Sequence, residues 1–195
     1  NHAGIYRRDI IIPESWTETE QKDLLGKGRR KDIVNVPSNQ VILHLGSVTS
    51  CVYVWINGKF VGYAEDSKVA AEFDVTPYIK SGINQMTMKV YRWCDGSYCE
   101  DQDMWRLSGI FRPVELWIRP MTHIRDYSIE TIPSEDFTSA KVRGTFHVRN
   151  LSDKKTKNLR IQMLLCGENY GDALLSDFFD VMPEEEVVIN LETTI

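Results

Sequence analysis

The sequence has no long apolar run, and this absence excludes a membrane-spanning helix. None of its 195 residues belong to a segment that approaches the ~18 consecutive apolar residues such a helix needs. No signal peptide is visible. The chain starts at Asn1 and not at Met, which indicates a piece of a longer protein. We expect a soluble protein with no membrane partner, and the compartment, cytoplasmic or periplasmic, stays open.

Positive charge and cysteine are both scarce. With 23 Lys and Arg against 28 Asp and Glu, the net charge is -5, so the chain lacks the positive footprint that phosphate binding needs. The sequence therefore predicts no nucleic-acid partner. Four cysteines are too few for a disulfide scaffold and fit no zinc spacing, namely Cys51, Cys94, Cys99 and Cys166. We expect free thiols, with a Cys94–Cys99 bridge left open.

Long helical patterns and internal repeats are missing too, and short strand patterns take their place. The pattern changes near Pro120, after which short alternating strands are split by polar turns. That second part indicates an antiparallel, immunoglobulin-like sandwich, small or truncated, over residues 121–195. It includes Asn150-Leu151-Ser152, formally a glycosylation acceptor, but this triplet arises by chance too often to carry weight. The fold class is predicted to be all-β, with two domains in series.

Several local features of the first part are specific enough to test. Asn57-Gly58 predicts a type I′ hairpin turn, because both central residues of that turn need positive φ. Residues 17–39 are polar and predict a long excursion between strands. Thr76 is predicted to cap a helix of about one turn. Two strands are predicted to face the core through alternating apolar residues, namely Met86, Met88 and Val90 in one and Val114, Leu116 and Ile118 in the other.

The segment from Arg92 to Arg112, called the 92–112 loop below, concentrates the chemistry of the chain. It connects two strand patterns and holds four acids, three arginines and four aromatic residues. A saccharide site needs carboxylates, amides and flat aromatic rings together, and this loop has all of them. The same residues also fit a structural role, since bidentate arginine–carboxylate pairs stiffen loops. Asp101 and Asp103 could even reach the ~5–5.5 Å carboxyl separation of a retaining glycosidase.

A family resemblance narrows these alternatives. The loop resembles the signature loop of the sugar-binding domain of β-galactosidases in glycoside hydrolase family 2, and it reads Arg92-Trp93-x-Asp95-Gly96-Ser97-Tyr98-x-Glu100-Asp101-Gln102-Asp103-Met104-Trp105-Arg106-x-Ser108-Gly109-Ile110-Phe111-Arg112. Upstream, the resemblance continues through Trp55-x-Asn57-Gly58-x-x-Val61-Gly62-Tyr63 and Glu72-Phe73-Asp74. It implies a jelly-roll-type sugar-binding domain over residues 1–120, ahead of the immunoglobulin-like sandwich.

The resemblance also implies a function for the chain. It would be the non-catalytic N-terminal portion of a β-galactosidase-like enzyme that hydrolyses terminal β-galactosides. Both catalytic glutamates of the family lie on a (β/α)8 barrel, which would be the partner in cis. No catalytic residue is expected in this chain, which alone should be inactive. A homo-oligomer stays open.

Site residues carried over from the family all lie in the loop. Asp103 is implied to bind the galactosyl group and a monovalent cation, Na⁺ in the full-length enzyme, with Asp101 as the neighbouring candidate. Trp105, Arg106, Ser108 and Gly109 are implied to shape the loop. We expect Trp105 to be buried, so that Trp105→Ala would cost ~3–5 kcal/mol.

Three other functions stay open at this point. A stand-alone carbohydrate-binding module would bind galactosides without any barrel. A family member acting on β-glucuronides or β-mannosides would share the same fold. A purely structural adhesion sandwich would use none of the loop chemistry.

Overall fold

A computed structural model describes residues 2–23, 33–100, 103, 105–164 and 173–195. The chain divides into two compact units, Asn1–Pro120 and Met121–Ile195. Regular structure in the described residues is β-strand with three short 3-10 turns, so the all-β prediction is confirmed. No helix among these residues is long and apolar enough to cross a membrane. Asp101 and Cys166, singled out in the sequence, lie outside the described residues.

Short strands follow one another along the whole described chain. In order, they are β1 (Ala3–Ile12), β2 (Thr19–Asp23), β3 (Ile33–Pro37), β4 (Asn39–Leu45), β5 (Val48–Thr49), β6 (Cys51–Ile56), β7 (Lys59–Glu65), β8 (Ala71–Asp74), β9 (Gly82–Tyr91), β10 (Gly109–Ile110), β11 (Val114–Pro120), β12 (Thr122–Pro133), β13 (Ala140–Asn150), β14 (Thr156–Leu159), β15 (Gln162–Leu164), β16 (Ala173–Leu175), β17 (Phe179–Val181) and β18 (Glu186–Thr194).

The N-terminal unit is a sandwich of two main antiparallel sheets. One has the strand order β1-β9-β6-β7 and the other β11-β4-β8. Successive side chains of a strand point to opposite faces, so every second residue of β4, β6 and β9 enters the core. The buried cluster combines both sheets, with Val41, Leu43, Leu45, Val52, Val54, Ile56, Met86, Met88 and Val90 as its main members. The core positions predicted in β9 are therefore confirmed.

The hairpin between β6 and β7 has the turn that its sequence predicts. Asn57 has φ of 52° and Gly58 has φ of 77°, the positive values that a type I′ turn requires. The Asn57 side chain also fastens the turn to the neighbouring strand. Its Nδ2 donates to Asn84 Oδ1 at 2.8 Å, and its Oδ1 accepts from the Gln85 amide at 3.1 Å.

Within residues 17–39, β2 pairs antiparallel with β3 in a two-stranded sheet of its own, so the predicted excursion between strands contains a strand pair that the sequence did not predict. Two local predictions in this unit are wrong. Thr76 is not the cap of its 3-10 turn, which is Val75, since the Thr76 hydroxyl instead accepts from the Val41 amide at 2.9 Å. Ile118 is 38% exposed, because β11 is an edge strand with a neighbour, β4, on one side only.

The C-terminal unit is built from one three-stranded sheet and two strand pairs. The sheet has the order β12-β13-β18, and the pairs are β14-β17 and β15-β16. Its core consists of Val142, Phe146, Val148, Ile161, Met163, Val181 and Leu191. The alternation of β13 and β18 is visible in the sequence, whereas β12, β16 and β17 were not predicted. Regular structure stops after Leu159, at the end of β14, and resumes as β15 at Gln162.

Candidate functional site in the 92–112 loop

The start of the 92–112 loop is fixed by two hydrogen bonds to the backbone of Arg92, from segments on both sides of β9. The Arg92 amide donates to the His2 carbonyl at 3.0 Å, which holds the chain against the segment that begins β1. On the other side, the Ser50 hydroxyl donates to the Arg92 carbonyl at 2.8 Å. The loop therefore leaves the sheet from a defined point.

The first half of the loop folds into a 3-10 turn, Gly96–Tyr98, and is tied to the segment after β7. Ser97 is buried, and its hydroxyl accepts from the Cys94 amide at 3.1 Å. The Glu100 carboxylate accepts from the Ser67 amide at 2.8 Å. In turn, the Ser67 carbonyl accepts from the hydroxyl of Ser47 at 2.8 Å. One carboxylate of the acid-rich segment therefore satisfies a backbone donor of the sandwich.

Arg106 closes the loop on itself. Its guanidinium donates to the Ser97 carbonyl at 2.9 Å and to the Glu100 carbonyl at 2.6 Å. Arg92 lies over the Trp93 ring, 5.6 Å from the centroid. Within the described part of the loop, these arginine contacts are thus to carbonyls and a ring and not to the carboxylates that the structural alternative predicted.

Replacing Arg106 should loosen the loop. Arg106→Ala removes two charge-assisted bonds to carbonyls, and we expect the free energy of unfolding to fall by about 1–2 kcal/mol. Arg106→Lys should recover only part of this loss, because an ammonium group cannot reproduce the planar fork. Urea unfolding followed by tryptophan fluorescence measures both. Arg7→Ala, at an exposed position of β1, is the matched control. Equal stability of Arg106→Ala and the control would contradict the anchor.

The end of the loop returns to the sandwich through β10. Gly109 and Ile110 pair with Thr49 and Val48 of β5. Gly109 has φ of 134°, a conformation that residues with a Cβ rarely adopt. Ser108 has an exposed position.

Aromatic rings and a carboxylate face outward between these anchors. Trp105 is 86% exposed and Tyr98 84% exposed, and Asp103 is exposed as well. The prediction that Trp105 is buried is therefore wrong within this chain. Exposed flat rings beside a carboxylate are the groups that stack on and hydrogen-bond to a sugar.

Because Trp105 is exposed, its removal should have almost no effect on stability, in place of the large loss expected for a buried ring. Trp105→Ala should change the free energy of unfolding by less than about 0.5 kcal/mol, as surface substitutions usually do. Leu43→Ala, at a fully buried position, is the control and should cost about 2–5 kcal/mol. Chemical denaturation of both variants checks this. A loss above 2 kcal/mol for Trp105→Ala, beyond the ~0.5 kcal/mol surface range, would show that the ring packs.

A second group of polar side chains lies at the base of the loop and was missed in the sequence. Ligand atoms of Glu65, Cys94 and Asp95 are all within 4.8 Å of one another. Glu65 Oε2 also accepts from the Tyr63 hydroxyl at 2.7 Å. Partial burial, followed by this hydrogen bond, raises the pKa of Tyr63. Glu65 reaches the end of β9 only through the pairing of β7 with β6 and of β6 with β9. The spacing of these residues along the chain therefore could not predict that they lie together.

Comparison with known proteins assigns the family. The sequence profile of the glycosyl hydrolases family 2 sugar binding domain matches residues 1–120. The chain belongs to glycoside hydrolase family 2. This family 2 chain is 44% identical over 142 residues to the β-galactosidase of Yersinia pestis bv. Antiqua (strain Angola), and equally so to that of Yersinia pseudotuberculosis serotype I (strain IP 32953). In each case the match covers 73% of the chain and 12% of the relative, so the chain spans about an eighth of their length.

Solved structures share the fold of this family 2 chain. A β-glucuronidase of Bacteroides uniformis superposes with a TM-score of 0.71 at 21% identity, covering 99% of this chain and 22% of that protein. A putative β-galactosidase of Bacteroides fragilis superposes with a TM-score of 0.70 at 17% identity, covering 99% of this chain and 27% of that protein. An exo-chitosanase of Amycolatopsis orientalis superposes with a TM-score of 0.70 at 16% identity, covering 98% of this chain and 20% of that protein. Activities differ among these neighbours, so they inform the fold alone.

Proposed function

We propose that this chain is the non-catalytic N-terminal part of a β-galactosidase-like enzyme that hydrolyses terminal β-galactosides. Residues 1–120 are the sugar-binding domain, and residues 121–195 are an immunoglobulin-like domain. The observation that carries the proposal is the 44% identity to β-galactosidases over 142 residues. Neighbours with other activities are related only at the level of fold, at 21% identity or less.

The geometry of the 92–112 loop supports a contributing role. The loop is anchored through Glu100 and Arg106, and between these anchors it presents Asp103 and Trp105 to the outside. A rigid loop with an outward-facing tip suits a pocket whose other walls come from elsewhere in a longer enzyme. Asp103 accepts hydrogen bonds from galactosyl hydroxyl groups, and Trp105 packs against the apolar face of the sugar. Asp101 is the adjacent candidate.

A monovalent cation fits Asp103 as one ligand. A carboxylate oxygen is the hard donor that such ions prefer, and Asp103 is exposed, so its oxygens are accessible. One carboxylate does not make a site alone, and the remaining ligands would come from the rest of the enzyme. A bound cation would supply positive charge that orients a sugar hydroxyl. Asp103 itself positions that hydroxyl and takes no part in bond cleavage.

Bond cleavage belongs to two glutamates of a (β/α)8 barrel in the longer protein. One acts as acid and base and the other as nucleophile, with retention at the anomeric carbon. The described residues of this chain contribute no strand–helix alternation that could form such a barrel.

The test compares the longer protein that carries these residues with the 195-residue chain. Each is assayed on aryl β-galactoside, aryl β-glucuronide and aryl β-mannoside. We expect the longer protein alone to hydrolyse the galactoside. Hydrolysis of the glucuronide or mannoside instead would assign another specificity, and hydrolysis by the short chain would make the loop acids catalytic. Tight galactoside binding by the short chain without hydrolysis would identify a stand-alone binding module.

A further inference from the structure

Two cysteines distant in sequence meet at the base of the 92–112 loop. Cys51 begins β6, where its register partners are Tyr91 of β9 and Glu65 of β7. Cys94 follows the end of β9 and lies with its sulfur within 4.8 Å of the Glu65 carboxylate. Cys51 and Cys94 are thus both neighbours of Glu65, Cys51 through strand pairing and Cys94 through its sulfur.

The surroundings of the Cys51 thiol also include Cys94. Burial is the largest cause that raises the pKa of Cys51, and the neighbouring Cys94 raises it as well. Cys51 is buried and Cys94 is half-buried, so Cys94 is the sulfur that a solution reagent reaches first. Cys99 is exposed on the far side of the 3-10 turn, and all three are free thiols.

We propose that Cys51 and Cys94 form a reversible disulfide that fastens the start of the 92–112 loop to β6. Glutathione disulfide is the oxidant. The Cys94 thiolate attacks one sulfur of glutathione disulfide, the S–S bond breaks, and one glutathione thiolate leaves with the electron pair. The Cys51 sulfur then attacks Cys94 and expels the second glutathione. Two protein thiols are oxidised, one glutathione disulfide is reduced, and the two thiol protons end on the two glutathiones.

The bond would constrain both the unfolded chain and the loop. It encloses β6 to β9, and a cross-link over a long segment stabilises mainly by restricting the unfolded ensemble. In the folded chain it adds a covalent anchor next to the existing bond between Ser97 and the Cys94 amide. This inference does not depend on the proposed function.

Peptide mapping of the oxidised chain tests the pairing. The folded 195-residue chain is incubated with glutathione disulfide, remaining thiols are alkylated under denaturing conditions, and digests are analysed by mass spectrometry. We expect a linked peptide pair containing Cys51 and Cys94, the loss of both residues from the set of alkylated cysteines, and a higher melting temperature. Dithiothreitol should reverse all three changes.

Single variants separate this pairing from its competitors. Cys99→Ser should keep the linked pair, whereas Cys51→Ser and Cys94→Ser should abolish it, and Cys51→Ser should retain glutathione on Cys94. Circular dichroism verifies folding, and Cys51→Ala replaces Cys51→Ser if the buried hydroxyl prevents folding. A Cys94–Cys99 link that is lost in Cys99→Ser would overturn the proposal. So would a wild-type chain that holds glutathione on Cys94 while Cys51 stays reduced.

Discussion

Asp103→Asn in the longer enzyme is expected to lower kcat/KM for an aryl β-galactoside by about 10- to 100-fold, because hydrogen bonds to a charged group contribute ~1.5–3 kcal/mol. The amide keeps the size of the side chain but removes the charge that, in the proposed function, accepts hydrogen bonds from sugar hydroxyl groups and binds a cation. The stimulation of activity by sodium ions should weaken in parallel. The melting temperature should stay unchanged, since the side chain is exposed in this chain.

Steady-state kinetics over a range of sodium concentrations measures both effects. Asp9→Asn is the matched control, because Asp9 is an exposed aspartate of β1 and the substitution makes the same change of charge. The control should keep full activity and an unaltered sodium response. Wild-type turnover in Asp103→Asn would remove Asp103 from the pocket. A large fall in melting temperature would show that its role is structural.

The sandwich core could be predicted because it depends on local pattern. Met86, Met88 and Val90 alternate with polar or aromatic residues. Because side chains two residues apart in a strand point to the same face, all three lie on the core face. Asn57-Gly58 is equally local, since its backbone conformation follows from the two residues themselves. Features of this kind need no knowledge of distant parts of the chain.

Features that depend on strand register could not be predicted. Cys51 and Glu65 are register partners in the β6–β7 hairpin, yet Cys94 joins them only because β9 lies beside β6. The loop gives a second example. Arg106 suggests an ion pair from its charge, but its guanidinium donates to the carbonyls of Ser97 and Glu100 in the folded loop. Composition alone could not predict these backbone partners.

Asn150→Ala is expected to give the largest loss of stability in the C-terminal unit, about 3–5 kcal/mol, because it leaves several buried groups unpaired. Asn150 is fully buried at the end of β13. Its Nδ2 donates to three carbonyl oxygens, those of Lys154 at 2.7 Å and of Val181 and Met182 at 3.1 Å each. Its Oδ1 accepts from Thr122 at 3.0 Å and from the amide and hydroxyl of Ser152 at 2.9 and 2.7 Å. The triplet that resembles a glycosylation acceptor is therefore a structural junction.

Hydrogen exchange is the appropriate measurement, because all five tryptophans lie in residues 1–120 and fluorescence would not report on this unit. Amides of β13 and β18 should exchange faster in Asn150→Ala by the factor that corresponds to the lost free energy. Asn190→Ala is the matched control, since Asn190 Oδ1 accepts a single bond from the Thr145 hydroxyl at 3.0 Å in an exposed setting. The control should change exchange little, because exposed substitutions cost less than about 0.5 kcal/mol. Equal protection in both variants would mean that the carbonyls around Asn150 find other donors, and the junction would then be redundant.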